Sequence, residues 1–329
     1  MEKKQDNLME ISDLTVRYNT DDAVVHAVNN FNLKLVRGEA RGLVGETGAG
    51  KTTLALSILR LLPERVGEVT GGSIVYDGQE LLKLPEAEML PLRGKRISMI
   101  FQDPMTSLNP TQTVGDQILE VLNLHFPEMT REEKNKRVDE MMTLVGIPPQ
   151  RKKSFPHEFS GGMKQRVVIA MALVAEPELL LADEPTTALD VTIQAQILEL
   201  MKQLREKFNT SVMLITHDLG VVAQFCDSVS VVYAGRVVEY GPVEIVFQRK
   251  ENHPYTAGLF NCIPNLHDDQ PRLHPIAGHM ADPRVEYKGC CFADRCEYAT
   301  ERCRTEAPSM HVCGEHGILC HRYAEKEEF

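Results

Sequence analysis

One short glycine-rich stretch constrains this chain more than any other. It has the pattern G-x-x-x-x-G-K-[ST] and consists of Gly45, Glu46, Thr47, Gly48, Ala49, Gly50, Lys51, Thr52 and Thr53, which we call the phosphate loop. A strand-like apolar run precedes it, and a helical pattern follows it up to Pro63. Glycines let the backbone N–H groups turn inward around an anion, and the helix N-terminus adds a positive dipole. Lys51 would reach the terminal phosphates and Thr52 would bind Mg²⁺, so the context predicts a nucleotide site rather than a mere turn.

Length, charge and cysteine content exclude several classes of protein. The chain has 329 residues, enough for one α/β core and a smaller attached unit. Its net charge of -11 argues against a nucleic-acid partner, because phosphate backbones are bound mainly by clustered Lys and Arg. The longest apolar run, 167–175, is shorter than the roughly 20 residues that a bilayer requires, and no signal peptide is visible. We therefore expect a cytosolic protein, in which eight cysteines indicate metal chemistry rather than disulfides.

The hydrophobic pattern predicts two kinds of sheet and a helical segment. Alternating apolar residues at 31–35, and a run that ends in an Asp-Gly turn at 77–78, indicate an antiparallel sheet with one exposed face. Unbroken apolar runs at 179–181 and 212–215 are typical of buried parallel strands. Residues from about 111 to 155 are largely helical in pattern. The sequence thus predicts an α/β fold with an antiparallel β subdomain and a helical subdomain at about 103–165.

Side chains suited to catalysis follow the two buried runs. Asp183 and Glu184 end the first run, at the carboxyl edge of a parallel sheet where ligands bind. Asp183 suits Mg²⁺ held through water, and Glu184 suits deprotonation of a water that attacks the γ-phosphate. His217 follows the second run and is a candidate contact to the γ-phosphate, although a single His is usually structural. Tyr18, on an early strand, could equally pack in the ordinary way or stack on a nucleotide base.

A second helix start could also bind an anion. The helix begins at the stretch Ser160, Gly161, Gly162 and Met163. Ser160 could be an ordinary N-cap. We expect, however, that Ser160 and the glycines leave the first N–H groups of the helix free, and such groups attract an anion. The sequence therefore predicts a second phosphate-binding position in the same chain.

Together these motifs resemble the ATP-binding cassette ATPases. The resemblance covers residues from about 8 to 250 and is carried, in order, by GETGAGKTT, Gln102, FSGGMKQR, LLLADEP, ALD at 188–190 and His217. Met163 departs from the commonest signature, which has Gln. The FSGGM variant, the stretch 102–110, the HPYT stretch at 253–256 and the cysteine-rich tail are instead similar to the oligopeptide and dipeptide importer subfamily.

The resemblance implies a P-loop NTPase fold, ATP hydrolysis and a role for each motif. Two cassettes would bind head to tail, so that Ser160, Gly161, Gly162 and Met163 complete the site of the partner and Asp190 lies in the D-loop. The residues implied for the nucleotide of this chain are Lys51, Thr52, Gln102, Asp183, Glu184 and His217, with Thr52, Gln102 and Asp183 at Mg²⁺. The implied partners are a second, different cassette, two membrane permease subunits and an external solute-binding protein. The chain would then lie on the cytoplasmic face of the membrane.

Beyond about residue 250 the composition changes, which predicts an ATPase domain at 1–250 and a C-terminal module at 251–329. Six cysteines fall between Cys290 and Cys320, and periodicity fades. Such a small unit has little apolar core, so something other than burial must stabilise it. Spacing alone does not choose a metal, because C-x₅-C followed by C-x₆-C matches neither zinc sites nor ferredoxins.

The resemblance to importer subunits implies a ligand set for this tail. It consists of Cys290, Cys296, Cys303 and Cys320, and the implied group is a 4Fe-4S cluster. Zinc and reduced structural thiols are the alternatives. The tail departs from the importer pattern at Cys291, where Pro is common, and at Cys313, an extra thiol that could replace Cys320.

Three classes of function stay open on the sequence. The first is the ATPase subunit of a peptide importer, or of an importer for another solute such as nickel or a sugar. The second is a cassette ATPase outside transport, like the translation factors and DNA-repair proteins of the superfamily, which usually have two cassettes or an inserted coiled coil. The third is a redox or metal sensor, which the intact catalytic set disfavours. We expect the first.

Overall fold

The computed structural model describes residues 6–187, 189–248, 250–262 and 275–324. Ala188, part of the ALD stretch, lies outside the described residues. The described residues of 1–8, 35–40 and 83–215 form a first compact unit, and those of 9–34, 41–82 and 216–329 form a second. None of the helices in the described ranges is long and apolar enough to cross a bilayer.

Strands and helices alternate along most of the chain. The strands are β1 (Asn7–Asn19), β2 (Val24–Val36), β3 (Ala40–Val44), β4 (Gly67–Tyr76), β5 (Gln79–Glu80), β6 (Ile97–Ile100), β7 (Leu179–Asp183), β8 (Ser211–Thr216), β9 (Ser228–Tyr233), β10 (Arg236–Pro242), β11 (Met310–Cys313) and β12 (His316–Leu319). The helices are α1 (Lys51–Ile58), α2 (Glu86–Met89), α3 (Pro104–Ser107), α4 (Val114–His125), α5 (Arg131–Leu144), α6 (Gly161–Leu173), α7 (Val191–Phe208), α8 (Leu219–Phe225), α9 (Val243–Phe247), α10 (Pro254–Asn261) and α11 (Glu301–Thr305).

The predicted antiparallel sheet is present, with the strand order β2-β1-β4-β5. On β2, Phe31 and Leu33 are buried and the residues between and beside them are exposed, as the alternation predicted. A turn at Asp77 and Gly78 joins β4 to β5, and both residues have positive φ, which suits a tight hairpin.

Each unit also contains parallel strands. In the first unit, β8, β7 and β6 lie side by side and parallel in that order. Every residue of β7 and β8 is buried, which confirms the prediction made from their unbroken apolar runs. In the second unit, β3 pairs in parallel with β9, and β10, β12 and β11 follow by antiparallel pairing.

The C-terminal segment is part of the second unit rather than a unit by itself. Its strands β12 and β11 extend the sheet beyond β10, with Glu239 opposite Ile318. The expectation of a tail with little core is therefore wrong in this respect, because Ile318 and Phe292 are buried. The domain boundary near residue 250 stays a prediction.

Helices α4 and α5 lie where the pattern predicted helix, in the first unit. The hydroxyl of Thr113 caps α4 by accepting the N–H of Asp116 at 3.2 Å. Thr130 and Glu133 form a reciprocal capping box at the start of α5. These caps satisfy N–H groups that the first turn of a helix leaves without an internal partner.

Candidate functional site

The phosphate loop is built on glycines that have no room for a side chain. A Cβ atom at Gly45 would lie 2.1 Å from the carbonyl oxygen of Val232, and one at Gly50 would lie 2.2 Å from that of Ala27. Gly50 also has a φ of 94°, in the left-handed region that favours glycine. Gly48 shares the left-handed conformation, with a φ of 83°, but a Cβ there would meet nothing within 4 Å.

Lys51 and the start of α1 have the arrangement that an anion site needs. The Lys51 amino group donates to the carbonyl oxygens of Gly45 at 2.7 Å and Glu46 at 3.0 Å, so it turns back over its own loop. Gly50 is the N-cap of α1 and has no side chain to cap the first turn. The positive end of the helix dipole therefore faces the loop without a competing side-chain cap from that position.

Tyr18 lies beside this loop within the second unit. Its hydroxyl donates to the Thr53 hydroxyl at 3.2 Å, and its ring is half-buried. The contact places an aromatic ring next to the helix that follows the phosphate loop. Stacking on a nucleotide base stays a prediction.

Two residues from the C-terminal part of the chain hold the start of the phosphate loop. Arg295 forms a bidentate ion pair with the Glu46 carboxylate. The Tyr255 hydroxyl accepts the Glu46 N–H at 2.9 Å. Arg295 and Glu46 are 249 positions apart in the sequence. In the sequence, the HPYT stretch around Tyr255 carries only a family resemblance. Arg295 was not predicted, because no spacing in the sequence signals such a contact.

The acidic end of β7 forms a small hydrogen-bonded group in the first unit. Asp183 is buried, with 2% of its surface exposed. Glu184 follows with a φ of 48°, and its N–H donates to the Ile215 carbonyl at 2.8 Å. One oxygen of its carboxylate accepts the Gln102 amide at 3.1 Å and the Thr187 hydroxyl at 2.9 Å. Gln102 and Glu184 were both predicted, whereas Thr187 was missed.

The left-handed conformation of Glu184 is unusual for a residue with a side chain. Such a backbone conformation costs of the order of 1–3 kcal/mol and persists only where the surroundings enforce it. Here the buried strand and the hydrogen bond to Ile215 enforce it. The carboxylate is thereby aimed at a defined point beyond the strand end, which is what a general base requires.

The expectation of free N–H groups at the start of α6 is partly wrong. The Ser160 hydroxyl accepts the N–H of Met163 at 3.4 Å, so Ser160 acts as an N-cap. Gly162 is needed for packing, because a Cβ there would lie 2.7 Å from a side-chain methyl of Ile193. Gly161 is exposed.

Asp190 and His217 lie at the starts of two other elements. The Asp190 carboxylate caps α7 by accepting the N–H of Ile193 at 3.0 Å. His217 is exposed and directly follows β8. Their predicted roles stay predictions.

Four cysteines of the C-terminal segment line one small cavity. They are Cys290, Cys296, Cys303 and Cys320. The cavity has a volume of about 20 Å³, and among the described cysteines Cys313 does not line it. Cys291 is buried elsewhere, with its sulfur 3.9 Å from the Tyr233 carbonyl oxygen. The four cysteines that share the cavity are those of the predicted ligand set.

The predicted metal site is nevertheless not formed in the part of the chain that the structure describes. No group of three or more His, Cys, Asp or Glu side chains there is arranged to hold a metal ion. Four thiolates on one zinc lie within about 3.8 Å of each other, since Zn–S is about 2.3 Å. Burial raises the pKa of Cys290 to about 12 and also raises the pKa of Cys296 and of Cys320. As free thiols these groups therefore stay protonated at neutral pH.

Two family models match the chain. The model described as ABC transporter matches residues 28–187, and the model described as oligopeptide/dipeptide transporter, C-terminal region, matches residues 238–303. The first match includes the phosphate loop, Gln102 and Glu184. The second includes three of the four cavity cysteines and ends before Cys320.

Curated relatives match over nearly the whole length. The oligopeptide transport ATP-binding protein OppD of Haemophilus influenzae is 47% identical over 98% of this chain and 98% of its own length. The protein of the same name from Escherichia coli is 48% identical over 93% of this chain and 90% of its own.

Solved structures of cassettes show the same fold. A dimeric ATP-binding cassette in a post-hydrolysis state with ADP and Pi matches with a TM-score of 0.64 and 28% identity, over 71% of this chain and 98% of the other. The cbiO1 protein of Clostridium perfringens, part of the ABC transporter complex cbiONQ, matches with a TM-score of 0.65 and 30% identity, over 75% of this chain and 92% of its own. The chain therefore belongs to the ATP-binding cassette ATPases of the oligopeptide and dipeptide transporter family.

Proposed function

We propose that this chain is the ATP-binding and ATP-hydrolysing subunit of an importer for oligopeptides or dipeptides. The observation that carries the proposal is the match, over nearly the full length, to relatives named as oligopeptide transport ATP-binding proteins. It is supported by the phosphate loop and by the Gln102-Glu184 hydrogen bond. The chain would act at the cytoplasmic face of the membrane with two permease subunits and an external solute-binding protein.

The experiment is reconstitution of the chain with its permease subunits in vesicles. Addition of a peptide-loaded solute-binding protein is expected to stimulate ATP hydrolysis and peptide uptake together. Nickel and a sugar serve as competing solutes. Uptake of either of these, without peptide uptake, would contradict the peptide assignment while leaving the cassette assignment intact.

We propose that individual residues bind different parts of the nucleotide, as follows. Lys51 and the N–H groups at the start of α1 bind the phosphates, Tyr18 contacts the base and His217 contacts the γ-phosphate. Glu184, oriented by Gln102 and Thr187, accepts a proton from the attacking water.

Mg²⁺ would be held by Thr52, Gln102 and Asp183. A hydroxyl, an amide oxygen and a carboxylate are the hard oxygen ligands that this ion prefers. When bound, the ion neutralises charge on the phosphate oxygens. The buried position of Asp183 suits this role, because a carboxylate taken out of water is stabilised by a cation.

We further propose that two cassettes act together and that the second is a different chain. Ser160, Gly161, Gly162 and Met163 would contact the nucleotide of the partner, and Asp190 would face the partner from the start of α7. The exposure of Gly161 leaves the backbone there accessible to such a ligand. The N-cap bond of Ser160 uses only the N–H of Met163.

This scheme predicts that the isolated chain hydrolyses ATP slowly. A second cassette and two membrane subunits are expected to raise the rate, because each site takes residues from both cassettes. Turnover and molar mass should be measured on the same sample, the mass by light scattering. A monomer with the full activity of the complex would refute the two-cassette scheme, and purification with an identical second chain would refute only the heterodimer.

We propose a structural 4Fe-4S cluster for the C-terminal segment, bound by Cys290, Cys296, Cys303 and Cys320. The proposal is supported by their shared cavity and by the family resemblance. Four thiolates are the usual complement for such a cluster, which would cross-link the segment. No step of ATP hydrolysis needs an electron, so the role would be to stabilise the segment.

The cluster is tested by iron, sulfide and zinc analysis of anaerobically purified protein. Cys320→Ser is expected to lose most of the iron, because Cys320 lines the cavity, whereas the control Cys313→Ser should keep it. Stoichiometric zinc without sulfide would rule out the cluster. Unchanged iron in Cys320→Ser would move the fourth ligand to Cys313.

A further inference from the structure

Glu46 is an acidic side chain in a loop whose other features favour an anion. In the second unit its carboxylate faces Arg295, with one Nη–Oε distance of 2.8 Å and another of 3.1 Å. Such a bidentate pair is the strongest geometry between these two groups. Only 5% of the Arg295 side chain and 25% of the Glu46 side chain are exposed, so water screens the pair weakly.

Arg295 is itself held in place before it meets Glu46. Its Nε donates to the Ala277 carbonyl at 3.1 Å, and one Nη donates to the Ile276 carbonyl at 3.4 Å. The guanidinium also lies 5.8 Å from the ring centre of Tyr233 and 5.9 Å from that of Phe292. The positive charge is thus fixed at one point beside the phosphate loop.

Tyr255 holds the backbone of the same loop residue. Its hydroxyl accepts the Glu46 N–H at 2.9 Å, and its side chain is fully buried. The ring packs against Tyr233 at 4.7 Å and against Phe292 at 5.5 Å between centroids. The backbone of Glu46 is therefore bound by Tyr255 and its side chain by Arg295, and both of these residues pack against Tyr233 and Phe292.

We propose that Arg295 is a positioning residue for ATP, which neutralises Glu46 and so sets the affinity of the phosphate loop. The inference rests on the proposed function, because it takes ATP as the ligand of this loop. Without Arg295, the Glu46 carboxylate would keep its charge in a poorly hydrated position beside the incoming phosphates. Repulsion between like charges at short range would then oppose binding. Arg295 lies between Cys290 and Cys296, so the cysteine-bearing segment contributes directly to nucleotide affinity.

The test measures the dissociation constant of ATP by calorimetry on the full chain. Arg295→Met is expected to raise this constant by about tenfold, since repulsion between two like charges at short range, partly screened by water, is of that size. Arg295→Lys keeps the positive charge but not the bidentate geometry of the guanidinium. Its dissociation constant for ATP should lie between those of the wild type and Arg295→Met. Adding Glu46→Gln to Arg295→Met should restore most of the affinity, because it removes the uncompensated charge.

Arg284→Met is the matched control in the same segment. Arg284 pairs with Asp282 at 2.7 Å, but the pair is exposed, and ATP affinity should not change. Glu46→Gln alone keeps Arg295 and should bind ATP at least as tightly as wild type. This variant keeps the proposal testable if Arg295→Met does not fold.

Turnover in the assembled transporter separates positioning from a general structural role. Arg295→Met is expected to raise KM for ATP while kcat stays within about twofold, because the substitution leaves the base Glu184 and its hydrogen bonds to Gln102 and Thr187 in place. Unchanged ATP affinity in Arg295→Met, weaker binding in Glu46→Gln, or failure of Glu46→Gln to restore Arg295→Met would each overturn the proposal. Failure of the wild type to bind ATP would instead refute the proposed function.

Discussion

A Glu184→Gln variant is expected to bind ATP as tightly as the wild type while its turnover falls by about 100-fold or more, since general-base catalysis contributes factors of that size. The substitution keeps the size of the side chain and its hydrogen bond from the Thr187 hydroxyl. It removes only the ability to accept a proton from water. The left-handed backbone at position 184 is equally accessible to Glu and Gln, so the fold should not change.

Turnover should be measured in the assembled transporter, and ATP binding on the same preparation. Glu176→Gln is the matched control, because Glu176 also has a left-handed backbone, with a φ of 53°, and belongs to the first unit. Glu176 forms an ion pair with Arg137 at the surface, and loss of this ion pair should leave ATP turnover unchanged. Turnover of Glu184→Gln within about threefold of wild type, with binding unchanged, would falsify the assignment of the base.

A Gly50→Ala variant is expected to lose about 3 kcal/mol of stability, the sum of backbone strain and overpacking. The new Cβ would lie 2.2 Å from the Ala27 carbonyl oxygen, which is a backbone atom and cannot rotate away. The φ of 94° adds strain for any residue other than glycine. Displacement of the loop should also abolish ATP binding, because the position of the Lys51 amino group depends on it.

The melting temperature without nucleotide is the measurement for this prediction. Gly48→Ala is the matched stability control: it has the same left-handed backbone, with a φ of 83°, but open space around the new Cβ. Its expected cost is about 1 kcal/mol, from the backbone alone. Equal melting temperatures for the two variants would show that the contact with Ala27 does not constrain the loop.

Much of the fold and of the site was predictable because it is encoded by neighbouring residues. The alternation around Phe31 predicted a half-exposed antiparallel sheet, and unbroken apolar runs predicted the buried strands β7 and β8. Asp183 and Glu184 were predicted because they lie at the carboxyl end of such a strand.

The start of α6 is a place where the local sequence is compatible with two arrangements. The same stretch, Ser160 to Met163, fits an N-cap and an anion site, and the structure has the N-cap bond. The N–H group of Met163 can donate either to the Ser160 hydroxyl or to a bound anion. The residue types in the stretch do not show which of these two hydrogen bonds has the lower free energy.

By itself, therefore, the sequence determined the phosphate loop, the periodicity of the strands and helices, and the residues that end the central strands. Only the tertiary structure decided that Arg295 pairs with Glu46, that Gln102 orients Glu184, and that Cys320 rather than Cys313 shares a cavity with the other three cysteines. The physical reason is the separation of the interacting residues along the sequence. Glycine content, strand alternation and helix caps act over a few residues, whereas these contacts join segments as far as 249 positions apart and depend on how the whole chain packs.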